Sequence, residues 1–130
     1  MRALAAILFG CTILAATACS EDEDEPGRSV TVRPEEMIDI VADEYRFDPA
    51  RILVKSAGRN IRLRVVLDNR GSLAHNLRVR DGEREIAGLR SFPPGEKRPL
   101  SASLQPGEYD FVSTVADHEE LGMVGRLVIR

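Results

Sequence analysis

The sequence predicts an all-β fold, an antiparallel β-sandwich of about seven strands that occupies residues 36–130. Short runs of alternating apolar and polar residues fill this region, and turn signals such as Asp81-Gly82 and Pro106-Gly107 separate them. No segment after residue 18 has ten or more residues with the apolar spacing of an amphipathic helix. Many short strands without helices indicate two packed sheets.

The individual strands follow from the alternation. In the run that starts at Ile61, apolar side chains alternate with two arginines, which is typical of a strand with one buried face. The stretch from Glu83 to Lys97 lacks this pattern and is predicted to be irregular. Tyr109, two residues after the Pro106-Gly107 turn, resembles a tyrosine corner. The predicted strands are Met37–Ala42, Arg51–Val54, Ile61–Leu67, Leu77–Arg80, Leu100–Leu104, Tyr109–Thr114 and Arg126–Ile129.

The first 18 residues are predicted to be a signal peptide. Arg2 supplies the positive charge, an apolar run of 15 residues follows, and Ala16-Thr17-Ala18 forms a small-residue cleavage site. Cleavage there leaves Cys19 first, an arrangement that resembles the bacterial lipobox, although Ala16 stands where leucine is usual. We therefore expect a protein lipid-anchored through Cys19 in the bacterial cell envelope, on its periplasmic or surface face. The alternative is secretion as a soluble protein.

Residues 19–35 are predicted to be a linker between the lipid anchor and the domain, because they contain the acidic run Glu21–Glu25 followed by Pro26-Gly27. Cys11 and Cys19 are the only two cysteines, so the domain itself contains none and can form no internal disulfide. The formal net charge of −3 and the absence of a basic patch argue against a nucleic-acid partner.

Two histidines and one methionine stand out as candidate metal ligands. His75 begins a predicted strand and is followed by Asn76. His118 lies in a loop, five residues after Ser113 and five residues before Met123. This constellation resembles the cupredoxins, the plastocyanin and azurin family, in which a His-Asn pair faces a Cys-x4-His-x4-Met loop. The resemblance spans residues 37–130 and implies a Greek-key β-sandwich with a metal site formed by His75, His118 and Met123.

The resemblance fails at Ser113, which stands where the family has its ligand cysteine. Blue-copper electron transfer depends on a copper–thiolate bond, which a serine hydroxyl cannot supply. Two imidazoles and a thioether still suit Cu(I), and the acids that flank His118, including Glu119, could add hard oxygens for Cu(II) or Zn(II). The family also implies that Asn76 ties the ligand loops together.

Two functions remain open from the sequence. The first is binding or trafficking of a metal ion, copper first among the candidates, together with a metal donor or acceptor protein in the envelope and without a blue-copper centre. The second is a metal-free module that docks an envelope partner, in which the histidines only hydrogen-bond. We predict no enzymatic activity, because no oxyanion-hole motif accompanies Ser113 and His118.

Overall fold

The computed structural model describes residues 27–130, which form ten strands in two sheets. The predicted signal peptide, Cys19 and the acidic run lie outside these residues. Among residues 27–130 there is no helix whose length and apolarity would suit it to span a bilayer. The strands are β1 (Ser29–Val32), β2 (Met37–Asp43), β3 (Arg46–Asp48), β4 (Arg51–Val54), β5 (Ile61–Asn69), β6 (His75–Asp81), β7 (Arg84–Phe92), β8 (Lys97–Leu104), β9 (Gly107–Val112) and β10 (Val124–Ile129).

The two sheets have the strand orders β1-β4-β10-β9-β6-β7 and β3-β2-β5-β8. The predicted β-sandwich is confirmed, but its sheets are mixed rather than wholly antiparallel. β4 is parallel to both β1 and β10, and β2 is parallel to β5. Alternation along a strand indicates which side chains are buried, but it carries no information on the direction of the neighbouring strand.

Strands form at all seven predicted segments, although β9 ends at Val112 rather than at the predicted Thr114, and three further strands are present, β1, β3 and β7. Each of these three lies at an end of a sheet in the described part of the chain. β7 occupies most of the stretch predicted to be irregular and pairs with β6 across the Asp81-Gly82 turn. β1 lies inside residues 19–35, the predicted linker, and pairs with β4. These three end strands have few buried side chains and alternate weakly, whereas β8, the fourth end strand, was predicted because Leu100, Ala102 and Leu104 alternate with serines.

The core lies between the sheets, where the alternating apolar faces meet. Ile61, Leu63 and Val65 of β5 are buried while the arginines between them are exposed, as the alternation predicts. The rings of Phe47 and Phe111 pack across the core with their centroids 5.4 Å apart. The tyrosine corner is present as well: the hydroxyl of Tyr109 donates a 2.9 Å hydrogen bond to the carbonyl of Gln105, which fixes the turn before β9.

Gly125 allows the Phe111 ring to pack directly against the backbone of β10. A Cβ atom at this position would overlap the Phe111 ring and come within 2.8 Å of the Ala50 carbonyl oxygen. We therefore expect Gly125→Ala to lower the free energy of unfolding by about 1–3 kcal/mol, the usual cost of overpacking a core. Gly107→Ala is the matched control, because its Cβ would meet only Tyr109 side-chain atoms at 3.6–3.8 Å. Urea unfolding measures both, and equal stability of the two variants would contradict this packing.

Candidate metal centre

One end of the sandwich carries all the candidate ligands. β6 runs antiparallel to β9, so the start of β6 lies beside the end of β9 and the loop that follows it. His75 is the first residue of β6, and His118 lies in the loop between β9 and β10. The two imidazole rings are buried, with centroids 4.9 Å apart and an angle of 53° between their planes. The fold thus brings together two residues that are far apart in the sequence.

Ser113 and Met123 lie in the same loop and are completely buried. Ser113 Oγ is 3.2 Å from His118 Nδ1, within hydrogen-bonding distance. Two backbone bonds shape the loop: the Ser113 N–H donates to the Met123 carbonyl at 3.1 Å, and the Met123 N–H donates to the His118 carbonyl at 2.9 Å. These bonds bring the ends of the loop together, so Ser113, His118 and Met123 are held in one compact turn.

Asn76 connects β6 to this loop through its side-chain amide. Its Nδ2 donates to Thr114 Oγ1 at 2.9 Å, and its Oδ1 accepts from the Thr114 N–H at 2.8 Å. The residue after His75 is therefore bonded to the residue after Ser113. This geometry agrees with the tie that the family resemblance implies for Asn76.

His75 has two buried ring nitrogens, and neither has a hydrogen-bond partner within residues 27–130. Burial, reinforced by the neighbouring His118, lowers the pKa of His75 below its ordinary value of 6.5, although Glu44 opposes this shift. A nearby carboxylate oxygen, Glu44 Oε1, is 3.5 Å from Nε2, which is longer than an ordinary N–H···O hydrogen bond. The imidazole is therefore held neutral, the form in which it can ligate a metal.

The lowered pKa of His75 predicts that the metal-free protein loses stability in mild acid. Because the folded pKa lies below the unfolded value of 6.5, the unfolded chain takes up the proton first as the pH falls. The contribution of neutral, buried His75 to the free energy of unfolding is therefore fully present above pH 6.5 and declines as the pH falls below that value. Urea unfolding between about pH 7 and pH 5 should show this decline, and His75→Gln should remove it. Glu44 and Asp68, whose pKa values are lowered from 4.5 and 3.8, contribute only at lower pH.

Two neighbours of the histidines lie in the turn between β2 and β3, where the sequence patterns gave no signal. Glu44 is the carboxylate beside His75. Tyr45 packs edge-on against His118, with ring centroids 5.2 Å apart and an interplanar angle of 66°. Neither residue belongs to a histidine or cysteine motif, and only the pairing of β2 with β5 brings their turn to this end of the sandwich.

Glu119, which follows His118, is paired with an arginine and does not face the histidines as a free carboxylate. Glu119 is engaged by Arg80, whose guanidinium donates bonds of 2.7 and 3.1 Å to the two carboxylate oxygens. No cluster of three or more His, Cys, Asp and Glu side chains that could hold a metal ion occurs in residues 27–130. The donors that remain are the two imidazoles and the Met123 thioether, a set that fits a soft ion such as Cu(I) better than Zn(II).

Solved structures with this architecture are numerous. An auracyanin from the photosynthetic bacterium Roseiflexus castenholzii superposes with a TM-score of 0.63 at 19% identity, covering 75% of this chain and 98% of the auracyanin. An azurin from Methylomonas sp. strain J superposes with a TM-score of 0.63 at 14% identity, covering 74% of this chain and 98% of the azurin. The rusticyanin of Thiobacillus ferrooxidans superposes with a TM-score of 0.60 at 14% identity, covering 82% of this chain and 85% of the rusticyanin.

The chain has the cupredoxin fold. The predicted resemblance is thereby confirmed for the architecture of the domain. No protein-family model and no curated protein matches the sequence. At one end of this fold, His75 and His118 have adjacent rings, and Ser113 and Met123 are buried in the loop that contains His118.

Proposed function

We propose that this protein is a cell-envelope lipoprotein whose cupredoxin-like domain binds Cu(I) through His75, His118 and Met123 and passes it to or from an envelope partner. The observation that carries the proposal is His75, a buried imidazole whose nitrogens have no hydrogen-bond partner in the described part of the chain. An unsatisfied buried polar group costs about 1–3 kcal/mol. A metal ion on one nitrogen would offset part of that cost.

The missing thiolate decides what such a site can do. With serine at position 113, copper would have no short bond to sulfur of the kind that supports rapid one-electron transfer in cupredoxins. Imidazole and thioether ligands favour the reduced ion, because thioether sulfur is soft. We therefore propose carriage or buffering of copper rather than a redox role.

The anchor is the second part of the proposal and is supported by the signal sequence and Cys19. Two or three acyl chains on this cysteine would hold the protein stably at a membrane, whereas one chain would not. Mass spectrometry of the protein purified from membranes tests this part. We expect an acylated Cys19 at the mature N terminus, and an N terminus without acyl groups would indicate secretion instead.

A calorimetric titration of the domain with Cu(I), Cu(II) and Zn(II) tests metal binding. We expect stoichiometric binding of Cu(I), weaker binding of Cu(II) and the weakest binding of Zn(II), following the softness of the donors. Binding should weaken below about pH 6, where protonation of imidazole competes with the metal. No heat with any of the three ions would refute the metal function.

The alternative is a metal-free docking module, and one contact favours it. The hydroxyl of Ser113 lies within hydrogen-bonding distance of His118 Nδ1, so this nitrogen is satisfied without a metal. In addition, Leu73, in the loop that leads into β6, and Leu121, in the loop that contains His118, expose 41% and 50% of their surface. If the titration is silent, these loops become the candidate surface for an envelope partner.

A further inference from the structure

The Glu44 carboxylate is fixed by the loop between β5 and β6. Its Oε1 accepts hydrogen bonds from the backbone N–H of Ser72 at 2.6 Å and of Leu73 at 2.9 Å. These charge-assisted bonds hold one oxygen of an otherwise partly exposed side chain in a single place. The position of this oxygen is therefore set by the backbone of a neighbouring loop and does not depend on the flexibility of the glutamate side chain.

The same oxygen faces the buried ring of His75. Glu44 Oε1 is 3.5 Å from His75 Nε2, and Gly71 makes this approach possible. A Cβ atom at Gly71 would overlap Glu44 Oε1 and lie 2.8 Å from His75 Nε2. The glycine thus leaves the carboxylate and the imidazole in direct proximity, with no side chain between them.

We infer that Glu44 is a positioning residue that keeps the proton of neutral His75 on Nε2 and leaves the lone pair of Nδ1 available to a metal ion. A neutral imidazole carries one proton, on one nitrogen or the other. The negative oxygen stabilises an N–H that points toward it, and the attraction is electrostatic at this separation. Metal-bound histidines commonly direct their second N–H at a carboxylate, which fixes the tautomer and raises ligand basicity. The metal half of this inference rests on the proposed function.

The tautomer can be measured in the metal-free protein by long-range proton–nitrogen NMR of the His75 ring. In the wild-type protein we expect Nε2 to have the shift of a protonated nitrogen and Nδ1 that of a lone-pair nitrogen. Glu44→Gln keeps an acceptor for the two backbone N–H groups but removes the charge. The two nitrogen shifts should therefore move toward each other in this variant, and further in Glu44→Ala.

Glu36→Gln is the matched control for this measurement. Glu36 also accepts a backbone N–H, that of Arg33 at 3.0 Å, but it is exposed and does not contact His75. This variant should leave the His75 shifts at their wild-type values. Unchanged shifts in both Glu44 variants, or an Nδ1-protonated ring in the wild-type protein, would overturn the inference.

Competition with a chromophoric Cu(I) chelator provides the second readout. Loss of a partner that orients a metal-bound histidine typically costs about 10- to 100-fold in metal affinity. We expect a loss of this size in Glu44→Gln and none in Glu36→Gln, and equal affinities would count against a role for Glu44 at the metal. If the wild-type protein binds no Cu(I), the proposed function fails, while the NMR shifts of the metal-free protein still decide the role of Glu44.

Discussion

The Ser113→Cys variant is expected to become intensely coloured when loaded with Cu(II), with absorption at about 600 nm, whereas the wild-type protein should not. Ser113 is completely buried and its Oγ lies 3.2 Å from His118 Nδ1. A sulfur atom in this place would join two histidines and a methionine at the same end of the sandwich. That is the His2Cys set with a weak axial methionine that characterises blue-copper sites.

The specificity of this result depends on where the cysteine is introduced. Ser56 is a second completely buried serine, but it lies at the end of the sandwich opposite to the histidines. It follows β4, and its backbone N–H donates to the carbonyl of Arg130. Ser56→Cys should therefore bind copper without the intense absorption. A colourless Ser113→Cys protein that is correctly folded and metal-loaded would show that the histidines are not placed to share an ion with position 113. Intense colour in the wild-type protein would contradict the proposed function.

His75→Ala is expected to lower the affinity for Cu(I) by at least about 10- to 100-fold, since removing a ligand should cost no less than removing a partner that orients one. Ser113→Ala should not lower the affinity for Cu(I). It removes the hydroxyl beside His118 Nδ1 but none of the proposed ligands, so Cu(I) affinity should be unchanged or higher. The pair therefore separates loss of a ligand from loss of a buried polar group. Chelator competition measures both affinities.

Thermal unfolding of the same two variants serves as the control for their folding. If His75→Ala remains folded and binds Cu(I) as tightly as the wild-type protein, His75 is not a ligand and the proposed site is wrong. If Ser113→Ala is less stable than the wild-type protein, and neither Ser113→Ala nor the wild-type protein binds copper, the hydrogen-bonded, metal-free form of the site is the functional one.

The sequence predicted the fold best where strands lie in the interior of a sheet. β5 has neighbours on both sides and one buried face, so its apolar residues alternate regularly with arginines. β7 pairs only with β6 in the described sheets and is largely exposed or half-buried, so its sequence resembles a loop. The parallel pairings could not be derived either, because they depend on how the chain crosses between the sheets.

The candidate site also contains residues that the sequence indicated and one that it did not. His75, Ser113, His118 and Met123 were found because their residue types and spacing form a recognisable ligand pattern. Glu44 was missed because it carries no pattern of its own and reaches His75 only through the folding of β2 beside β5. Local motifs identify candidate metal ligands. The groups that orient those ligands come from tertiary structure, which a single sequence does not display.

Two side-chain contacts join β6 to the loop between β9 and β10, and they bear on how the proposed carrier would release copper. Asn76 holds Thr114, and Arg80 holds Glu119, and none of these four side chains belongs to the proposed ligand set. The loop is therefore restrained by contacts that would stay intact if a bound ion left. An emptied protein would keep the shape needed to accept the next ion, so each round of delivery would avoid the entropic cost of reordering a released loop.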